Sequence, residues 1–320
     1  MLVAKDERTS PLNPSREHVV PWGLGGSDAC STMDCCVECN SRLGETVDAD
    51  CINSTLMSMV RQQHGVSGYS KRVPDVLLDA HDTRSREPAR IVIPPDGPAE
   101  FRHAPIVLRQ DEAHGEKVLV VGSEQDVRKI VGGMASKVAK NGGRLIGEDG
   151  AGLDIEAAIA GAERESFGEY EGRFSVDPTV IPRELVKIAY GFSHLVFGHR
   201  WTGSAAAKPF RDVAIGLGGR GEVDALVTGC KVGIRSLLPM GSAGVNDHVV
   251  ALLPGQQPMI IVSLFGDELT TLAVPMPVPR AEIDHAITAN ARAMVTIGVP
   301  DRTARWTSFM DLARHLAAGG

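Results

Sequence analysis

The hydrophobic positions along the chain predict a mixture of helices and strands. Residues 182–197 have the clearest helical pattern, because apolar side chains recur on one face: Leu185, Ile188, Ala189, Phe192, Leu195 and Val196. Residues 302–317 predict a second helix, with Trp306, Phe309 and Leu316 facing inward. Three apolar runs, at 249–253, 259–265 and 269–274, are separated by short polar breaks and predict an antiparallel meander. The chain is therefore expected to be of the mixed α+β class.

Near the N-terminus the pattern predicts a strand, a glycine loop, a second strand and a helix. Val19 and Val20 are β-prone and are followed by Pro21 and a loop with three glycines. Residues 33–37 predict the second strand, and residues 40–43 open a helix. Ser54 is a suitable N-cap for a further helix that places Leu56, Met59, Val60 and Gln63 on one face and ends at Gly65.

The middle of the chain contains the predicted domain boundary. Residues 66–100 carry Gly, Ser, Pro and mixed charge, and we interpret residues 71–100 as a linker between domains at 1–70 and 101–320. Residues 91–95 and 104–110 have strand character. Residues 117–143 predict a strand and then a helix, capped by Ser123.

Composition narrows the possible functions. The chain of 320 residues is 43% hydrophobic, and it contains no apolar run of 18 residues. Its charged N-terminus does not resemble an export signal, so we expect a cytoplasmic protein without a membrane partner. A net charge of −7 excludes a uniformly basic protein that coats nucleic acids. Aromatic residues make up only 4%, which argues against a base-stacking platform for single strands.

Five of the six cysteines cluster between residues 30 and 51. The spacing Cys36-x-x-Cys39 suits two ligands of one zinc ion, but a tetrahedral site needs two more. Cys30, Cys35, Cys51 or His18 are candidates, and spacing does not select among them. Unligated thiols are the alternative interpretation.

A longer constellation surrounds these cysteines. It consists of Glu17-His18-Val19-Val20-Pro21, then Gly25-Gly26, then Cys36-x-x-Cys39-Asn40-Ser41, Gly44 and Asp48. This order and spacing resembles the HNH endonuclease family, over residues 15–65. The resemblance implies a small N-terminal ββα-metal finger that hydrolyses DNA phosphodiesters with one divalent ion, Mg²⁺ or Mn²⁺, ahead of a larger α+β domain.

The same resemblance assigns roles to particular residues. His18 matches the general base, Glu17 and Asn40 match the metal ligands, and Asp48 matches a position that supports the loop or the metal. These residue types suit the chemistry, because an imidazole can activate water and Mg²⁺ prefers oxygen ligands. The sequence departs from the family in two respects: the middle Asn has no certain counterpart, and no second CxxC precedes Glu17.

Charge around the finger is mixed. Residues 1–90 contain 10 Lys and Arg against 13 Asp and Glu. Arg61, Lys71 and Arg72 follow the finger and form a candidate phosphate-binding rim, with a solvated charged linker as the alternative.

Two other functions remain open from the sequence. One is a DNA-binding or scaffolding protein that keeps the finger without cleavage. The other is a ligand site at Gly216-x-Gly218-x-x-Gly221, which fits the dinucleotide fingerprint formally but lacks the rest of that unit, so a glycine turn is expected. The oligomeric state, including a homo-oligomer, is also open.

Overall fold

The computed structural model describes residues 12–83, 86, 88–103, 105–112, 115–147, 150–162, 169–229, 246–299 and 301–318. The chain forms two compact units. The first joins residues up to Pro74 with residues from Val176 onward, and the second is the contiguous stretch Asp75–Ser175. The bounds of these units differ from the predicted domains. The reason is that residues 176–320 share one hydrophobic core with the N-terminal finger, while residues 75–100 belong to the second unit.

The N-terminal finger has the predicted order of strand, glycine loop, strand and helix. Strand β1 (Pro14–His18) pairs antiparallel with β2 (Ser31–Cys36). The finger continues through three helices and one π-helical turn: α1 (Val37–Leu43), the turn Gly44–Asp48, α2 (Ala49–Asn53) and α3 (Thr55–Gln63). Ser54 caps α3 as predicted, since its hydroxyl accepts from the Met57 N–H. The buried face of α3 differs from the prediction, because Met57 is buried whereas Met59 is 45% exposed.

Two glycines shape the loop between β1 and β2. Gly25 has φ of 96°, a conformation that favours glycine. A Cβ on Gly26 would lie 1.8 Å from the carbonyl oxygen of Val20, so no side chain fits there. The loop also contains a 3-10 turn at Trp22–Leu24 and buries Leu24 completely. Together these features fix the position of the residues that follow His18.

The second unit is built on a four-stranded antiparallel sheet in the order β5-β4-β3-β8. Its strands are β3 (Val76–Asp82), β4 (Pro88–Ile93), β5 (Glu100–His103), the hairpin β6 (Ile106–Glu112) and β7 (Gly115–Val121), and β8 (Tyr170–Arg173). Its helices are α4 (Glu124–Lys140), capped by Ser123 as predicted, and α5 (Ile155–Gly161). Part of the stretch predicted as a linker therefore forms strands.

The rest of the first unit consists of helices packed on a six-stranded antiparallel sheet in the order β14-β13-β10-β11-β12-β9. The helices are α6 (Val180–Phe197), α7 (His199–Thr202), α8 (Lys208–Ala214), α9 (Arg220–Leu226), α10 (Arg280–Thr288) and α11 (Phe309–Ala318). The strands are β9 (Thr228–Gly229), β10 (His248–Leu253), β11 (Met259–Ser263), β12 (Thr271–Pro275), β13 (Arg292–Ile297) and β14 (Ala304–Ser308). The predicted meander is confirmed as β10, β11 and β12, and the predicted helix at 182–197 is α6.

The C-terminal helix begins later than predicted. Residues 304–308 form the edge strand β14, because they pair with β13 and place Trp306 opposite Val295. Helix α11 starts at Phe309, which is buried, but Leu316 is 40% exposed rather than inward. No described helix combines the length and the apolar character that crossing a bilayer requires.

Candidate active site

His18 lies at the end of β1 and is held by a carboxylate that sequence reasoning missed. Its Nε2 lies 2.8 Å from Oδ1 of Asp28, and its side chain is 13% exposed. The same Asp28 oxygen lies 3.0 Å from Nη1 of Arg16. Hydrogen bonds from His18 and then from Arg16 lower the pKa of the Asp28 carboxyl. Asp28 therefore stays ionised and orients the imidazole.

Glu17 makes a different set of contacts from its neighbour His18. Its Oε1 lies 2.5 Å from Nζ of Lys187, a residue in the middle of α6. The same ammonium lies 3.1 Å from Oδ1 of Asp48 and donates to the backbone carbonyl of His18 at 3.4 Å. The side chain of Lys187 is 5% exposed, and those of Glu17 and Asp48 are 13% and 14% exposed. The structure thus brings Glu17 and Asp48 together around a lysine.

A third acid adjoins this group. Glu184 precedes Lys187 by one helical turn on α6 and is fully buried. Within the described residues neither oxygen of an ionised Glu184 has a hydrogen-bond donor, whereas a protonated Glu184 can donate to Asp48. Burial, and next the charge of Asp48, raises the pKa of Glu184 well above its usual range. Glu184 is therefore the neutral member of the cluster.

The pKa values of Glu17 and Lys187 reflect the same setting. Burial raises the pKa of Glu17, although the adjacent Lys187 opposes this effect. Burial alone would lower the pKa of Lys187, but the charges of Asp48 and then of Glu17 oppose this effect, and the pKa of Lys187 is raised. Lys187 is accordingly charged at neutral pH. We call Glu17, Asp48, Glu184 and Lys187 the lysine–carboxylate cluster.

Asn40 joins the helix of the finger to its first strand. Its amide Nδ2 donates to the Ser15 hydroxyl and to the Arg16 carbonyl, both at 2.8 Å. These two bonds hold α1 against β1 directly before Glu17. Asn40, predicted as a metal ligand, therefore uses its amide nitrogen to position α1 against β1.

Cys36 and Cys39 lie at the start of α1. The Cys36 sulfur caps the helix by accepting from the Cys39 N–H at 3.2 Å. Hydrogen bonds from Cys39 lower the pKa of the Cys36 thiol. Across the parts of the chain that the structure describes, no three His, Cys, Asp or Glu side chains are grouped so as to hold a metal ion. The two sulfurs thus have no further ligands with which to complete a zinc site.

The residues of the predicted phosphate rim are in two different settings. Arg61 is 5% exposed and donates to the Ile52 carbonyl at 3.3 Å, so it lies inside the unit and not on a surface that could meet a phosphate. Lys71 and Arg72 are exposed. They follow Tyr69, whose ring stacks on Trp22 at 6.1 Å, and the Trp22 ring lies 5.4 Å from that of His18. The segment that carries both cations is thus connected to His18 through the rings of Tyr69 and Trp22.

The glycine motif at 216–221 does not have the context of a dinucleotide site. The motif is preceded by helix α8 and not by a strand, and the helix that follows, α9, has only seven residues. Gly216 has φ of 78°, and a Cβ on Gly218 would lie 2.5 Å from the Val213 side chain. The glycines therefore serve a tight turn between two short helices.

Three important residues were not found from the sequence, and two of them left a detectable signal. Glu184 and Lys187 are charged residues three positions apart within the apolar pattern of α6, and such a pair is expected to interact on a buried face. Asp28 lies in a loop, where no periodicity indicates which side chain it meets.

Comparison with known proteins supports the N-terminal resemblance. A family model described as HNH endonuclease matches residues 4–56. No curated protein and no solved structure gives a match. The N-terminal ββα region thus fits an HNH finger, and at the level of the family the match supports a nuclease-like function. The remainder of the chain has no such assignment.

Proposed function

We propose that this protein is an endonuclease that hydrolyses DNA phosphodiesters, with His18 as the general base. The observation that carries the proposal is the hydrogen bond between His18 and Asp28 at the end of β1, within a finger that matches the HNH family. A histidine whose orientation is fixed by a carboxylate is a common arrangement for proton transfer.

The chemistry follows from this pair. With Nε2 bound to Asp28, the other ring nitrogen, Nδ1, takes a proton from the attacking water. The ionised Asp28 stabilises the imidazolium that forms, without accepting the proton itself. Because only the neutral imidazole accepts a proton, the cleavage rate should fall as the pH is lowered.

The family implies a divalent ion, which would supply positive charge to the phosphate oxygens. Glu17 does not fit that role here, whereas the hydrogen bonds of Asn40 use its amide nitrogen and do not occupy the oxygen that would bind an ion. The Glu17 carboxylate is paired with the buried ammonium of Lys187, and the Asn40 amide holds two groups of β1 through its nitrogen. We derive no step through a metal at these residues.

Positive and aromatic side chains near His18 support a nucleic-acid substrate. Arg16 is exposed and contacts Asp28, while Tyr69, 79% exposed, stacks on Trp22. Lys71 and Arg72 follow in the same segment, and arginine and lysine are the usual partners of phosphates. This local surface is favourable although the whole chain carries a net charge of −7.

Plasmid cleavage by His18→Ala tests the proposal. The purified protein is incubated with supercoiled plasmid in Mg²⁺, Mn²⁺ or EDTA, and nicked and linear products are measured over time. Loss of a general base should lower the rate about 10²–10⁴-fold, while DNA binding measured by fluorescence anisotropy is retained. Asp28→Asn should lower the rate less. His285→Ala, which changes an exposed histidine on α10, is the matched control and should have no effect. Cleavage that survives His18→Ala undiminished contradicts the assignment.

A second function is favoured by one observation, the ion pair of Glu17 with Lys187. A finger whose candidate metal ligand is paired inside the protein suits a DNA-binding or scaffolding protein that no longer cleaves. Wild-type protein that binds plasmid without producing nicked or linear forms, in every metal tested, would establish this alternative.

A further inference from the structure

Helix α6 places a charged pair in a setting that is otherwise apolar. Leu185, Ile188 and Ala189 are fully buried around Glu184 and Lys187, and the helix packs on the large sheet. Buried lysines are rare unless they are paired, because removing an ammonium from water is costly. The partners of this one come from the finger, 139 or more residues away in sequence.

The ammonium contacts oxygens from two elements of the finger. Glu17 Oε1 lies at 2.5 Å, Asp48 Oδ1 at 3.1 Å and the His18 carbonyl at 3.4 Å. Glu17 Oε1 and Asp48 Oδ1 meet the ammonium as ion pairs, without aligned hydrogen bonds, and the His18 carbonyl accepts one N–H. Glu17 and Asp48 are the two positions at which the family resemblance expects a metal ligand and its supporting acid. Both are therefore already paired with a side chain of the same protein.

A divalent ion and this lysine compete for Glu17 Oε1. Mg²⁺ needs oxygens at about 2.0–2.1 Å in octahedral geometry, and Lys187 Nζ lies 2.5 Å from Glu17 Oε1, so an ion that binds this oxygen has to displace the ammonium. The two cations would also repel each other strongly in a site from which water is largely excluded. Lys187 cannot withdraw to solvent without leaving two buried carboxylates unpaired.

We infer that Lys187 is the built-in cation of the Glu17 site and takes the place of a divalent metal ion. The ammonium pairs with Glu17 and Asp48 and fastens the finger to α6. This inference does not rest on the proposed nuclease activity, since it concerns which cation Glu17 binds.

Metal binding and thermal stability test the inference together. Binding of Mn²⁺ to wild-type protein and to Glu17→Gln is measured from the electron paramagnetic resonance signal of free Mn²⁺. Equal affinity, or no measurable binding to either protein, supports Lys187 as the cation. A loss of tenfold or more in Mn²⁺ affinity on Glu17→Gln would overturn the inference.

The melting temperatures of Lys187→Met and of the double variant Glu17→Gln/Lys187→Met complete the test. Loss of the ammonium should lower the melting temperature by about 10 °C, because two buried carboxylates lose their partner. Adding Glu17→Gln should restore at least a third of that loss. Lys208→Met is the matched control, since Lys208 makes an exposed pair with Asp212 and should change the melting temperature by about 2 °C or less. An unchanged melting temperature for Lys187→Met would contradict the inference; if that variant does not fold, the Mn²⁺ comparison still decides.

Discussion

His248 is a buried histidine that joins the finger to the large sheet, and its protonation should destabilise the fold. Its ring is fully buried at the start of β10. The Phe265 N–H donates to Nδ1 at 3.0 Å, so Nε2 carries the proton and donates to the Leu24 carbonyl at 2.8 Å. The neutral ring satisfies both contacts, whereas a second proton would remove the acceptor that Phe265 needs. Burial lowers the pKa of His248 from 6.5 to about 4.

The size and sign of the effect follow from this pKa. In the unfolded chain the histidine binds a proton below pH 6.5, while in the folded protein it stays neutral down to about pH 4. The unfolded state therefore binds more protons in this window, and stability is lost as the pH falls. At about 1.4 kcal/mol per pH unit, lowering the pH from 7 to 5 should cost about 2 kcal/mol, with a limit of about 3 kcal/mol near pH 4.

Urea unfolding at pH 5, 6 and 7 measures this contribution. The drop in unfolding free energy between pH 7 and pH 5 should be about 2 kcal/mol smaller in His248→Gln than in wild type. His285→Gln alters an exposed histidine and should leave the drop unchanged. Ring NMR of the wild-type protein should show a neutral His248 with its proton on Nε2 throughout this range. Parallel pH profiles for wild type and His248→Gln, or a His248 that titrates near pH 6.5, would refute the reasoning.

Two further predictions concern the loop after His18. Gly26→Ala should lower the free energy of unfolding by about 3 kcal/mol or more, because its Cβ would meet the Val20 carbonyl. Gly44 is helical and has open space around it, so Gly44→Ala should leave this free energy unchanged or raise it by up to about 1 kcal/mol. Equal urea midpoints for the two variants would contradict this. Arg302 stacks over Trp22 at 3.9 Å and donates to the Trp22 and Ser67 carbonyls. Arg302→Lys should therefore lower the free energy of unfolding by about 1–2 kcal/mol in the same assay. An unchanged free energy of unfolding would mean that the planar guanidinium is not needed there.

Sequence patterns predicted well the elements that depend only on neighbouring residues. Helix α6 has a hydrophobic repeat over many residues, the strands of the meander are continuous apolar runs, and the Ser54 and Ser123 caps contact residues three positions away. Strand β14 was expected to be helical, and this prediction was wrong. Its five residues form a strand by pairing with β13, a tertiary effect that the local sequence does not reveal.

The candidate site was predictable in its residues but not in their partners. The motif singled out Glu17, His18 and Asn40, and the structure places them near the end of β1 and in α1; their roles stay predictions. Lys187 meets Glu17 from 170 positions away, and no pattern in one sequence reports such a distance. The burial of Arg61 was also missed, because a charged residue on a short helix is more often exposed.

The separation of these partners also sets the order in which the molecule can form during synthesis. The finger leaves the ribosome before its partners, since Leu24, Trp22 and His18 contact His248, Arg302 and Lys187, which are made 169 to 280 residues later. Residues 75–175 form a contiguous unit and can fold while translation continues. The contact of His18 with α6 and that of Leu24 with β10 can form only after those elements have emerged, so these contacts are the last to be made around the His18 site.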